Sequence, residues 1–291
     1  MKTVENYRMK GENVMKKAIN AWSVPNHITF AETFRDISCA GFDGIELNLD
    51  ADNYSSHSLT MGIGKDTFNE INSLSEEYNL KVVSISTSLT GGKLGSDNKS
   101  VRESGKDLIR KQLECAAALG ADSILTVPGG MTDSISLLKA YENSFMAIEE
   151  LKPEIESAKI YVGLENVWNG FFTSPFDMKN FIDKLNCTYI GAYFDVGNVI
   201  AFSNPEYWIE ILNTRICKIH VKDFMRNNGI NRGGCFVNLL EGDANWNKVI
   251  TELCKIGYNG FLTAELGMMM ECPEYLYKIT SKALDIIINV R

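Results

Sequence analysis

The chain has 291 residues, 45% hydrophobic and 23% charged, with a formal net charge of -8. That length allows a large core without disulfide staples, and the acidic balance argues against non-specific nucleic-acid binding, which relies on Lys and Arg to neutralise phosphates. Seven cysteines with no CxxC pair read as reduced, buried thiols of a cytoplasmic protein, and no apolar run resembles a signal peptide or reaches membrane-spanning length.

In chain order, residues Met1 to about Met15 are polar and charged, and read as an N-terminal extension or outer helix. Strand-like runs then alternate with helix-like stretches. The strand-like runs are Ala18–Val24, Gly44–Asn48, Lys81–Ser86, Ser123–Val127, Lys159–Glu165, Tyr189–Asp195, Ile216–Val221 and Gly260–Glu265. The helix-like stretches are Ala31–Cys39, Lys65–Tyr78, Glu103–Leu119, Leu137–Ile155, Pro175–Leu185, Pro205–Leu212, Trp246–Ile256 and Pro273–Ile288. Leu108, Ile109, Leu113, Ala116 and Ala117 keep helical spacing within the third of these. Pro175, Pro205 and Pro273 stand at helix starts, where a missing N–H has no partner to lose. Gly120 and Gly257 follow apolar helices, where glycine permits a left-handed stop.

Eight strands and eight helices without a composition break predict a single (β/α)8 TIM barrel over residues 1–291. A doubly wound sheet is the alternative, but its dinucleotide fingerprint is missing. The glycines of Gly91–Gly95 sit in a long loop and do not directly open a helix.

Four of the strand-like runs end on metal-type residues: Glu165, Asp195, His220 and Glu265. A buried strand that stops on such a group has placed it where it must be used or paired. The spacings are 30, 25 and 45 residues, the last lengthened by a loop over Phe224–Gly242. Neighbouring barrel strands lie about 5 Å apart, so these strand ends can converge on one cation at the C-terminal face. Three carboxylates and one imidazole favour Mn²⁺, with Mg²⁺ or Co²⁺ as alternatives, over a structural zinc, which normally uses cysteines. For any one of the four alone, a salt bridge or cap would suffice as an explanation.

The chain resembles the sugar phosphate isomerase/epimerase superfamily with the xylose-isomerase-like barrel. The likeness is carried by Gly41–Leu47, Gly163–Asn166, Asp195–Asn198, His220–Asp223, Glu241–Asp243 followed by Trp246, and Gly257–Gly260 leading to Glu265. It is nearest the ketose 3-epimerase and pentulose-5-phosphate 3-epimerase/hexulose-6-phosphate isomerase branch. The resemblance implies that Glu165, Asp195, His220 and Glu265 bind one divalent metal, and that Glu165 and Glu265 are the acid/base pair. A metal on the carbonyl and adjacent hydroxyl of a ketose acidifies the C–H between them and stabilises an enediolate. Epimerisation then needs a second carboxylate on the opposite face, whereas a 1,2-isomerisation can use one. Many relatives have histidine where Asn198 stands, which nudges the reading towards a phosphorylated sugar. Lys222, Arg226 and Arg232 are candidates to hold a phosphate or sugar hydroxyls. The alternative for these is a solvated loop and a Lys222–Asp223 pair at the rim.

Glu46 ends the second strand and is expected to hydrogen-bond substrate. Trp22 and Trp168 are candidate aromatic walls against a sugar face, with core packing as the alternative. His27 and His57 read as surface histidines, and Met268–Met270 as packing at the rim. The favoured function is therefore a metal-dependent epimerase or isomerase of a small sugar or sugar phosphate. A lyase or dehydratase of the same superfamily (keto-inositol dehydratase or C-glycoside-cleaving type) shares the chemistry. An endonuclease IV-like enzyme would need a histidine-rich cluster, and the chain has 3 histidines in all. Homo-oligomers are common in the superfamily, so the resemblance allows one here.

Overall fold

The computed structural model describes residues 15–290; the expected N-terminal extension lies, save for Met15, outside them. Eight parallel strands close into a barrel. They are β1 (Lys16–Asn20), β2 (Gly44–Asn48), β3 (Lys81–Ser86), β4 (Ser123–Thr126), β5 (Tyr161–Glu165), β6 (Ile190–Asp195), β7 (Ile216–Val221) and, after a β8–β9 hairpin (Asp223–Arg226 and Gly234–Val237), β10 (Phe261–Ala264). β1 pairs with β10 on one side and β2 on the other, which completes the ring. Between strands run α1 (Phe30–Cys39), α2 (Lys65–Glu77), α3 (Lys99–Leu119), α4 (Leu137–Ala158), α5 (Pro175–Leu185), α6 (Gly197–Ile200), α7 (Pro205–Leu212) and α8 (Trp246–Lys255); α9 (Pro273–Ile288) follows β10. The expected (β/α)8 barrel is the fold. Among the described residues no helix is long and apolar enough to cross a membrane.

Local chemistry explains the helix starts. Thr29 and Glu32 form a capping box at α1, as do Ser174 and Asp177 at α5. Pro175, Pro205 and Pro273 each occupy the first turn of a helix. Gly120 closes α3 at φ 67°, a left-handed stop that glycine adopts without a Cβ penalty.

Strand alternation divides the core in two. Ile45 and Leu47 point outward into the large apolar layer between sheet and helices, with Phe34, Ile37 and Ile71. Ala18, Val83 and Phe261 form a separate small cluster inside the barrel. Two residues further along the strands, the inward positions turn polar, beginning with Asn20 and Glu46.

Several expectations need correction. β1 spans Lys16–Asn20 rather than Ala18–Val24, because the Asn20 side chain accepts the Trp22 N–H and turns the chain into a 3-10 turn over Ala21–Ser23. Trp22 therefore follows the strand instead of lying within it. The loop expected over Phe224–Gly242 contains all of the antiparallel β8–β9 hairpin except Asp223. His57 is buried, its ring nitrogens 2.8 Å and 3.2 Å from the carbonyl oxygens of Ile28 and Ala21. The cysteines are free, as expected, but only Cys115 is buried.

Candidate metal centre at the barrel mouth

Glu165 is the last residue of β5, Asp195 of β6, and His220 the next-to-last of β7; Glu265 follows β10 by one residue. Asp195 stands in register with His220 across the β6–β7 ladder. One ligand atom from each of the four residues falls within 4.8 Å of all the others. His220 Nδ1 lies 3.2 Å from Glu165, 3.7 Å from Glu265 and 3.9 Å from Asp195. His220 and Asp195 are fully buried, and Glu265 is the most open of the set, with 19% of its side chain exposed.

The residues present fit a divalent cation. Asp195 Oδ1 accepts the Asn198 backbone N–H at 2.7 Å, while Oδ2 is buried without a hydrogen-bond partner. A buried carboxylate oxygen is costly unless it meets a cation, and the cation it meets here is the Lys222 ammonium. Lys222 Nζ is 3.1 Å from that oxygen and 2.5 Å from Glu265 Oε2, so its ammonium neutralises part of the cluster from the mouth side.

Burial pushes the Glu165 carboxyl up to about 7, with Glu265 and Asp195 adding to the effect and His220 opposing it. Burial raises Asp195 as well, partly offset by Lys222. For Glu265 burial acts upward, but Lys222 and His220 outweigh it and hold the group below its ordinary value. For His220 burial acts downward, and the surrounding carboxylates, Glu46 first, override it and raise the group well above its ordinary value.

A cavity of about 680 Å³ opens on this cluster, lined by Trp22, Lys222, Phe236, Glu241, Glu265 and Leu266 among others. Trp22 is half-buried there, its indole N–H donating to Asp50 at 3.1 Å. Trp168 is 56% exposed; it donates to the Asn198 carbonyl at 2.6 Å and packs against Phe224 and Phe236. A second cavity of about 480 Å³ lies beside Trp168 and Phe224, lined by none of the four ligand residues.

Other expected substrate contacts point elsewhere. Arg226 donates to the carbonyl oxygens of Ile200 and Ser203, each at 2.6 Å, tying the hairpin to the loop after β6. Asn198 donates to the Asn166 carbonyl at 2.9 Å and is buried. Arg232 is exposed in the turn of the hairpin. The Lys222–Asp223 rim pair does not form: Asp223 faces away and accepts the Phe224, Leu240 and Ala244 backbone N–H groups and the Trp246 indole. Gly242 belongs to that return, since a Cβ there would meet Asp223 Oδ1 at 2.2 Å.

Glu46 departs most from expectation. It is 0% exposed and offers nothing to the mouth. Its Oε1 accepts from Asn20 at 2.5 Å and faces His220 Nε2 at 2.6 Å, while Oε2 accepts from the Tyr193 hydroxyl. Asn20 and Tyr193 were not singled out from the sequence. Their signal was positional: Asn20 is in register with Glu46 across β1–β2, and Tyr193 precedes Asp195 by two, hence on the same strand face. Asn166 was also missed as a support; it exchanges two hydrogen bonds with the Asp195 backbone, at 2.8 Å and 2.9 Å.

Comparison with known proteins places the chain in a family. An uncharacterized protein of Methanocaldococcus jannaschii is 27% identical over 178 residues, 58% of this chain and 59% of that protein, so the alignment spans a little over half of the curated relative. A D-tagatose 3-epimerase-like protein superposes with a TM-score of 0.75 at 21% identity, covering 94% of this chain and 98% of the other. The IolI protein with a bound zinc atom superposes with a TM-score of 0.79 at 15% identity, covering 94% and 98%. At those identities the structural likeness is one of fold. The family model described as "Xylose isomerase-like TIM barrel" matches residues 34–278, most of the chain, which therefore belongs to that family.

Proposed function

We propose that this chain is a divalent-metal-dependent epimerase or isomerase of a small sugar, moving a proton on the carbon beside a ketose carbonyl. The observation that carries this reading is the convergence of Glu165, Asp195, His220 and Glu265 within 4.8 Å beneath an open cavity. Those residues would hold the ion, and Mn²⁺ suits their three carboxylates and one imidazole. When bound, the ion supplies Lewis-acid polarisation of neighbouring oxygens. Glu165 sits deep and Glu265 at the cavity wall, so two carboxylates are available to take and return a proton. The likeness to a D-tagatose 3-epimerase-like protein supports the reaction class.

The cavity favours an unphosphorylated sugar. Lys222 is the cation among its lining residues, and Asp195 and Glu265 already engage it. Arg226 is committed to backbone carbonyls. Trp22 and Phe236 offer apolar walls suited to sugar C–H faces.

The test is proton-exchange NMR in D₂O with Mn²⁺, run on ketoses and ketose phosphates. Deuterium should enter one carbon beside the carbonyl of an unphosphorylated ketose. Exchange confined to ketose phosphates refutes the choice of sugar, and no exchange with either class refutes the reaction.

A further inference from the structure

Glu46 is a fully buried carboxylate that the proton-transfer chemistry does not use. It faces three donors: the Asn20 amide, the Tyr193 hydroxyl and His220 Nε2. An ionised carboxylate can only accept hydrogen bonds, so Nε2 carries the proton. Nδ1 then faces the other way, towards Glu165, Glu265 and Asp195. The Tyr193 ring packs on the imidazole with centroids 4.6 Å apart, which limits tilting. The imidazole is thus clamped from behind and aimed forward.

We infer that Glu46 is a positioning residue for the metal: it fixes His220 so that Nδ1 is the ligating nitrogen, and its charge makes the imidazole a better ligand. Asn20 and Tyr193 in turn hold Glu46. This rests on reading the cluster as a metal site. A carboxylate behind a ligating histidine typically changes metal affinity by about 10- to 100-fold when removed. The arrangement also explains an acidic residue on the interior face of β2. Its one negative charge receives three inward donors: the Asn20 amide, which also donates to Ser86, the Tyr193 hydroxyl and His220 Nε2.

The experiment is Mn²⁺ titration followed by electron paramagnetic resonance, on wild-type protein, Glu46→Gln and Tyr193→Phe. The glutamine side chain keeps the shape and can still accept from Nε2, and the Tyr193 hydroxyl can turn to accept its amide, so the change isolates the charge. Wild-type protein should bind one Mn²⁺, and Glu46→Gln should bind it about 10- to 100-fold more weakly. Tyr193→Phe should weaken binding by about 3- to 10-fold, and it carries the test if Glu46→Gln fails to fold. In the Co²⁺-substituted wild type, one exchangeable imidazole N–H should give a contact-shifted proton signal that exchanges slowly. That signal should shift and exchange faster in the variants, a change that a purely structural role of Glu46 would not produce. Variants that fold and bind Mn²⁺ as tightly as wild type overturn the inference while leaving the metal site standing. Wild-type protein that binds no divalent ion overturns both.

Discussion

With no divalent ion in the cluster, the fold's stability should fall as pH rises, and Glu165 supplies about 2 kcal/mol of the effect. Burial holds its carboxyl at about 7 in the folded protein, against an ordinary value of 4.5. Between those values the folded state keeps a proton that the unfolded chain has released, so stability decreases with pH across that window. From about pH 5.5 to about pH 8 this single group contributes a loss of about 2 kcal/mol. For a chain of 291 residues that is a drop of about 3 °C in melting temperature. His220 acts in the same direction, since its raised value gives stability present below its ordinary value and lost as pH climbs through the folded one. Glu265 and Glu46 are lowered, so their contributions are lost only below the ordinary carboxylate range, outside this window.

The assay is differential scanning calorimetry of chelator-treated protein across that range. Wild type, Glu165→Gln and wild type with saturating Mn²⁺ are compared. Wild-type apo protein should lose melting temperature steadily, Glu165→Gln should lose about 2 kcal/mol less, and Mn²⁺ should flatten the curve by holding Glu165 ionised. A wild-type apo curve parallel to that of Glu165→Gln refutes the reasoning, because the burial cost of this carboxylate would then be absent.

Glu165→Gln and Glu265→Gln should each slow deuterium wash-in by about 10²- to 10⁴-fold, the usual contribution of a general acid or base; full activity in both removes the acid/base assignment. Mn²⁺ affinity should fall by at least about tenfold for each pH unit below about 7, because a proton must leave Glu165, and another His220, for the ion to bind; a flat profile by calorimetric titration rules this out. Lys222→Met should bind Mn²⁺ about tenfold more tightly, since it removes a like charge 3.1 Å from Asp195 Oδ2 and 2.5 Å from Glu265 Oε2; equal affinity would mean the ammonium leaves the cluster at no cost. Gly163→Ala should lose about 1–3 kcal/mol in urea unfolding, because its Cβ would meet the Tyr193 side chain at 2.8 Å.

Much of the barrel was legible because each strand and helix announced itself locally. Apolar runs of five to seven residues became strands with ends shifted by at most two positions, save the end of β1, which moved by four, and prolines marked three helix starts. The four ligand candidates were legible for a related reason. A single charged group at the C-terminal end of a buried strand can be a salt bridge or cap, but β5, β6, β7 and β10 each brought one to the same face. What failed was direction within loops. Arg226 and Asn198 have the chemistry to hold a sugar, but both turn to backbone carbonyl groups that the surrounding loop leaves without partners. Asp223 likewise serves the return of the chain after the hairpin.

Glu46 shows where residue type alone misleads and register corrects it. Its place in β2 suggested the mouth, as for Glu165 at the end of β5. Yet Glu46 has two strand residues after it, whereas Glu165 is the last of its strand. That difference lowers Glu46 by about 5 Å along the barrel axis, at about 3.3 Å per residue on strands tilted by about 36°, to a level beneath the candidate ligands. There its neighbours are interior side chains, Asn20 from β1 and Tyr193 from β6. A carboxylate at that depth can only serve groups above it, and the group above it is His220. On the barrel strands, Glu165 and Asp195 at a last residue and Glu265 one beyond it reach the candidate metal cluster, whereas Glu46, set further back, holds His220.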